Sequence, residues 1–62
     1  MPFITVRMLD GRTEEQKRRL VKAITDAVVE TTGAKPEGTT VVIEEVARHH
    51  WAKAGVLLSD QT

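Results

Sequence analysis

Residues 13–33 read TEEQKRRLVKAITDAVVETTG, and this stretch decides the fold. Thr13 followed by Gln16 three positions later is a capping box, in which side chain and backbone satisfy each other at a helix start. Glu14 and Glu15 fall in the first turn, where the helix dipole favours negative charge. Leu20, Val21, Ile24, Ala27, Val28 and Thr31 recur at helical spacing and form one largely apolar stripe. Arg18, Arg19, Lys22, Asp26 and Glu30 populate the opposite side. Glu14 with Arg18 and Glu15 with Arg19 are i,i+4 pairs in the favourable orientation. Gly33 supplies a C-terminal stop and Pro36 prevents resumption. The spacing predicts a helix over 14–32.

On either side of this helix the period changes from 3.6 to 2. PFITVRML alternates, with Ile4, Val6 and Met8 on one side and Phe3, Thr5, Arg7 and Leu9 on the other. It is rich in β-formers and predicts a strand over 3–9, closed by the turn signal Asp10-Gly11. GTTVVIEEV predicts a second strand over 39–46, with Val41 and Ile43 on one face and Val42 and Val46 on the other. Apolar residues on both faces suit a strand covered on both sides. Strand, helix, strand is a β-α-β unit, so the strands are expected to be parallel through a right-handed crossover. ARHHWAKAG reads as an irregular or single-turn segment. VLLSDQT reads as a small terminal strand or hairpin that packs on a neighbour. The fold class is therefore α/β (α+β), one domain over 1–62.

Such a chain is marginal alone, because a domain of about 60 residues buries only roughly 60% of its unfolded surface. The sequence has no cysteine, which removes disulfides and thiolate metal sites. His49 and His50 are adjacent and lack the spaced partners of a zinc site. Association remains as the remedy. One helix covers one face of a two-stranded sheet, so the face bearing Phe3 and Leu9 is an association surface. Lys plus Arg equals Asp plus Glu, nine each, so no global field draws the chain to nucleic acid or an anionic membrane. No apolar run approaches the ~20 residues that span a bilayer, and the N-terminus lacks a signal-peptide pattern. A cytoplasmic protein is expected.

The candidate chemistry begins at Pro2. Met1 precedes a small residue, so its removal is expected, leaving Pro2 with a free secondary amine. Two readings are open from the residues alone. Proline is tolerated at the first position of a strand. Alternatively, burial in an apolar pocket and a nearby cation lower the amine's pKa, making a neutral general base whose ring fixes the lone pair. Arg12, beside Gly11 in the turn, is either a solvated loop residue or a grip for a carboxylate through two parallel hydrogen bonds. Arg7, in mid-strand, reads as a salt-bridge residue across an interface. Trp51 is the only Trp and reads as a packing anchor at an interface, an apolar wall beside the base, or both. His49 and His50 read as surface or interface residues, since neighbours in extended chain cannot face one pocket. Arg48 and Lys53 read as solvated charges that could add positive potential at a pocket mouth.

Together these features resemble the 4-oxalocrotonate tautomerase family. The resemblance covers nearly the whole chain: its length of 62 residues, the start MPFITV, the turn LDGRTEEQK, the single helix, the strand VVIEEV and the late aromatic in HHWAKAG. It implies a β-α-β subunit that pairs into a four-stranded sheet, with three such dimers commonly forming a hexamer. It implies that Pro2 moves a proton between oxygen and carbon, interconverting an enol and a conjugated ketone without a cofactor. It implies that Arg12 binds the substrate carboxylate in a site shared between subunits, and that Trp51 lines the apolar wall where many members have phenylalanine.

Two departures stand out. The best-studied branch has a second arginine at the start of the second strand, and the ungapped position here is Thr40. A hydroxyl donates one hydrogen bond but brings no charge, and losing a charge-assisted contact costs ~10²–10³ in rate if nothing replaces it. Arg7 and Arg48 are the candidate replacements. The leading substrate is the diacid 2-hydroxymuconate, with a monoacid enol such as an arylenolpyruvate as the alternative. A non-catalytic oligomeric binding module is the competing reading, and a promiscuous enzyme whose own reaction is decarboxylation or hydration is a third. The dehalogenase branch uses an extra arginine before the turn and a carboxylate near the late aromatic; Leu9 and Lys53 stand there, which disfavours that chemistry.

Overall fold

The computed structural model describes residues 1–61. Strand β1 spans Phe3–Leu9, helix α1 Glu14–Thr32 and strand β2 Thr40–Val46. A two-stranded tail follows, β3 at Ala52–Lys53 and β4 at Val56–Leu57. Short 3-10 turns occupy Pro36–Gly38, Arg48–His50 and Leu58–Asp60.

The helix begins and ends where its caps dictate. The Gln16 amide donates to Thr13 Oγ1 at 3.1 Å, and the Thr13 amide donates to Gln16 Oε1 at 2.8 Å, completing the capping box. Gly33 ends the helix in the left-handed region at φ 77°, its amide donating to the Val29 carbonyl at 3.0 Å. The side of α1 turned from solvent is Lys17, Leu20, Val21, Ile24, Thr25, Val28 and Val29. Ala27 and Thr31, expected on the apolar stripe, are exposed instead. The Thr31 hydroxyl donates back to the Ala27 carbonyl at 2.7 Å. Of the two expected ion pairs, Glu14–Arg18 forms at 3.0 Å. The Glu15–Arg19 pair is replaced by a contact from Arg18 to Glu15 at 3.5 Å.

β1 and β2 run parallel, with Phe3 opposite Thr40, Val6 opposite Ile43 and Leu9 opposite Val46. β2 starts at Thr40 rather than 39, because the Pro36–Gly38 turn claims Thr39. Its amide donates to the Pro36 carbonyl and its hydroxyl to the Lys35 carbonyl. Ile4, Val6 and Met8 with Val41 and Ile43 are half-buried beneath α1. Lys17 of α1 reaches Glu45 at 2.6 Å, so that side of β2 faces the helix. The opposite face stays open: Phe3 is 66% exposed and Val42 37% exposed. Among the described residues none is buried.

The tail is a hairpin closed by Ala54 and Gly55, both at positive φ (52° and 78°), as a two-residue turn matched to strand twist requires. Ala52 and Lys53, read from sequence as irregular, pair with Leu57 and Val56. The tail is tied to the Arg48–His50 turn through Arg48 Nη2, which donates to the Leu58 carbonyl at 3.3 Å, while the Leu58 amide donates to the Trp51 carbonyl at 2.8 Å. The result is an open slab of 43 × 24 × 14 Å. Its radius of gyration is 14.8 Å, against about 11 Å for a compact chain of this length.

Candidate active site

Parallel pairing sorts the candidate residues to two ends of the sheet. Pro2 precedes β1, and its carbonyl accepts from the Thr40 amide at 3.0 Å. That bond fixes Pro2, half-buried, beside the first residue of β2. Met1 is fully exposed. While Met1 is attached, the Pro2 nitrogen is a tertiary amide whose lone pair is delocalised, and it cannot act as a base. Thr40 shares the open face with Phe3 and Val42, following the alternation of exposure along the strands.

Arg12 and Trp51 lie beyond the other end. Arg12 follows Gly11, whose φ of 116° lets the chain reverse from β1 toward α1. It is exposed and forms no ion pair among the described residues. Trp51 follows the Arg48–His50 turn after β2 and is half-buried between that turn and the hairpin. β1 separates the two groups by roughly 20 Å, the rise of a strand of this length. One subunit therefore does not bring Pro2 to Arg12, and its described residues form no pocket.

Neither candidate replacement cation stands beside Thr40 within the subunit. Arg7 lies opposite Glu44, four positions along the ladder, and donates from Nε to Glu44 Oε2 at 2.7 Å. That hydrogen bond and the carboxylate's charge raise the Arg7 pKa above its ordinary value. Arg48 donates from Nη2 to the Leu58 carbonyl at 3.3 Å and holds the tail. The rings of His49 and His50 meet with centroids 4.1 Å apart, inclined at 56°. The turn makes this possible, where extended chain would separate them. No described residues form a group of three metal-ligating side chains, and no described helix is long and apolar enough to cross a membrane.

Two contacts escaped the sequence reading. Lys17–Glu45 was legible in principle, since Lys17 lies one turn before Leu20 and Glu45 shares the parity of Val41 and Ile43. Arg7 reads from sequence as a salt-bridge residue across an interface; the pair it forms lies instead within the subunit, with Glu44, the residue that the register of the two strands sets opposite it.

The fold defines a class: a parallel β-α-β unit with a trailing hairpin and an uncovered sheet face. A family model described as tautomerase enzyme matches residues 2–61. The chain is 58% identical over 60 residues to 2-hydroxymuconate tautomerase of Bacillus subtilis strain 168, spanning 97% of each chain. It superposes with a TM-score of 0.95 on the crystal structure of YwhB, a homologue of 4-oxalocrotonate tautomerase, at 56% identity, covering 98% of this chain and 100% of that one. A heterohexamer 4-oxalocrotonate tautomerase from Chloroflexus aurantiacus matches at TM-score 0.93 and 27% identity, with both chains fully covered. The chain belongs to the tautomerase family and is an enzyme of the tautomerase type.

Proposed function

We propose that this chain, acting as one domain over 1–62, is a cofactor-independent isomerase that interconverts enol and keto forms of 2-hydroxymuconate-like dienol acids. The observation that carries the reading is the tethering of Pro2 to Thr40 at a sheet end, in a chain 58% identical to a 2-hydroxymuconate tautomerase. After Met1 is removed, the Pro2 amine is neutral and takes the proton from the 2-hydroxyl. The electron pair moves through the diene, and the protonated ring nitrogen returns the proton to carbon. One O–H is lost and one C–H gained, so no redox partner is needed. Arg12 grips the substrate carboxylate by two parallel hydrogen bonds. Trp51 walls the site, lowering its polarity and so the basicity of Pro2. Thr40 donates one hydrogen bond beside the reacting centre. A cytoplasmic location belongs to the same reading and is checked by fractionation.

Because Pro2 and Arg12 occupy opposite ends of one subunit, the working site combines one copy's Pro2 with another copy's Arg12 and Trp51. The reading takes dimers with a four-stranded sheet, three of them forming a hexamer. Pro2→Ala keeps a terminal amine but alters its basicity and shape. Mass-checked protein starting at position 2 is assayed on a panel of dienols and enolpyruvates. The expected result is a loss of at least ~10²-fold in ketonisation with the assembly intact. Unchanged turnover removes Pro2 from the mechanism; no activity in the parent on any substrate favours the non-catalytic relative. A preference for enolpyruvates favours the monoacid alternative, which the absence of charge at Thr40 supports.

A further inference from the structure

We propose that Arg48 is a specificity-determining residue: it stands at the edge of the site walled by Trp51 and holds the second carboxylate of a dicarboxylic substrate, supplying the charge that Thr40 lacks. The inference rests on the reading that Arg12 and Trp51 of one copy meet Pro2 of another.

Three hydrogen bonds set Arg48 there. The Asp10 amide donates to the Val46 carbonyl at 3.0 Å, so β1 and β2 are still joined where they end. Arg12 follows Asp10 by two positions and Arg48 follows Val46 by two, so both arginines leave the sheet from the same end. The Leu58 amide donates to the Trp51 carbonyl at 2.8 Å, and the Leu58 carbonyl accepts from Arg48 Nη2 at 3.3 Å. A single residue of the tail thus ties the guanidinium to Trp51, within about 10 Å of its carbonyl. A site that takes Trp51 as its wall therefore takes Arg48 at its edge.

The guanidinium also has donors to spare. Arg48 is exposed, and its bond to Leu58 is long for N–H···O and uses one of five donors. Asp10 and Asp60 stand in the turns at this end, but among the described residues neither pairs with Arg48 or Arg12. Arg7, the other candidate cation, is already joined to Glu44 at 2.7 Å. A planar cation with free donors beside an apolar wall suits a second carboxylate, with Arg12 gripping the first.

The probes are muconate, a six-carbon diene diacid without the 2-hydroxyl, and sorbate, a six-carbon diene with one carboxylate. Trp51 is the only Trp and Tyr is absent, so binding is read from its fluorescence. Mass-checked parent protein starting at position 2 is expected to bind muconate roughly 10–100-fold more tightly than sorbate. Arg48→Gln removes the charge and keeps an N–H for the Leu58 carbonyl. It is expected to lose that preference by weakening muconate, with sorbate within about threefold of the parent. Arg48→Lys keeps the charge and is expected to retain a preference above about threefold. The proposal is overturned by a parent that binds neither probe or both alike, by a preference that survives Arg48→Gln, or by its loss in Arg48→Lys. Equal weakening of both probes by Arg48→Gln also overturns it, since that marks Arg48 as a prop for the hairpin. Neither probe can ketonise, so failure of the Pro2 mechanism leaves this result unaffected.

Discussion

Thr13 and Ala54 show how much a single position contributes when its conformation is fixed. Thr13 closes the capping box by accepting from the Gln16 amide. Thr13→Ala is expected to lower stability by ~1 kcal/mol, read from thermal unfolding at fixed protein concentration. Ala54 is the reverse case, a non-glycine at φ 52° in the hairpin turn. An L-residue with a Cβ is strained there by ~1 kcal/mol, and Ala54→Gly relieves the strain while adding chain entropy to the unfolded state. The expected net gain is a few tenths of a kcal/mol, up to ~1. A melting temperature that falls on this substitution contradicts the turn assignment. Pro2, Arg12 and Trp51 were legible as candidates because each is chemically unusual where it stands. The roles proposed for them do not follow from composition, since a proline at a strand start and an arginine in a loop have ordinary explanations.

The sheet–helix contact is where periodicity proved a sound but incomplete guide. α1 spans the predicted 14–32, because both caps are written locally. The side it turns to the sheet is rotated from the expected stripe, taking in Lys17, Thr25 and Val29 and leaving out Ala27 and Thr31. The rotated side carries Lys17, which meets Glu45 of β2 at 2.6 Å. These side chains are 28% and 33% exposed, so the pair is partly shielded. Glu45→Ala is expected to cost ~1 kcal/mol by leaving Lys17 half-buried without its partner. Lys17→Met with Glu45→Leu is expected to recover most of it, because apolar replacements remove the desolvation cost. Urea titrations of the parent, single and double variants check both outcomes. A single variant as stable as the parent shows that the pair does not help to dock the helix.

Assembly gives the strongest test of the proposed shared site. Pro2→Ala and Arg12→Ala are each expected to be nearly inactive alone. Unfolded together in equal amounts and refolded, they form mixed assemblies in which some sites take Pro2 from one variant and Arg12 from the other. Random mixing restores roughly a quarter of the sites if the two residues come from different copies. If they came from one copy, every site would carry a defect and no activity would return. Specific activity of the refolded mixture, compared with each variant refolded alone, separates these cases.

The amino-acid order carries the strand and helix periods, both helix caps, the turn residues and the need for association. All of these are local or additive: they depend on neighbours a few positions apart, or on a total such as apolar surface. What waited on the folded chain was every relation between distant positions. The register of β1 on β2 pairs Arg7 with Glu44 and sets Pro2 beside Thr40. Register is decided by the summed fit of side chains between the two strands and the helix above them, and a shift by one residue turns every side chain to the other face. No short stretch of sequence contains that sum, and so the pairing of Arg7 with Glu44 and the tethering of Pro2 to Thr40 became visible only in three dimensions.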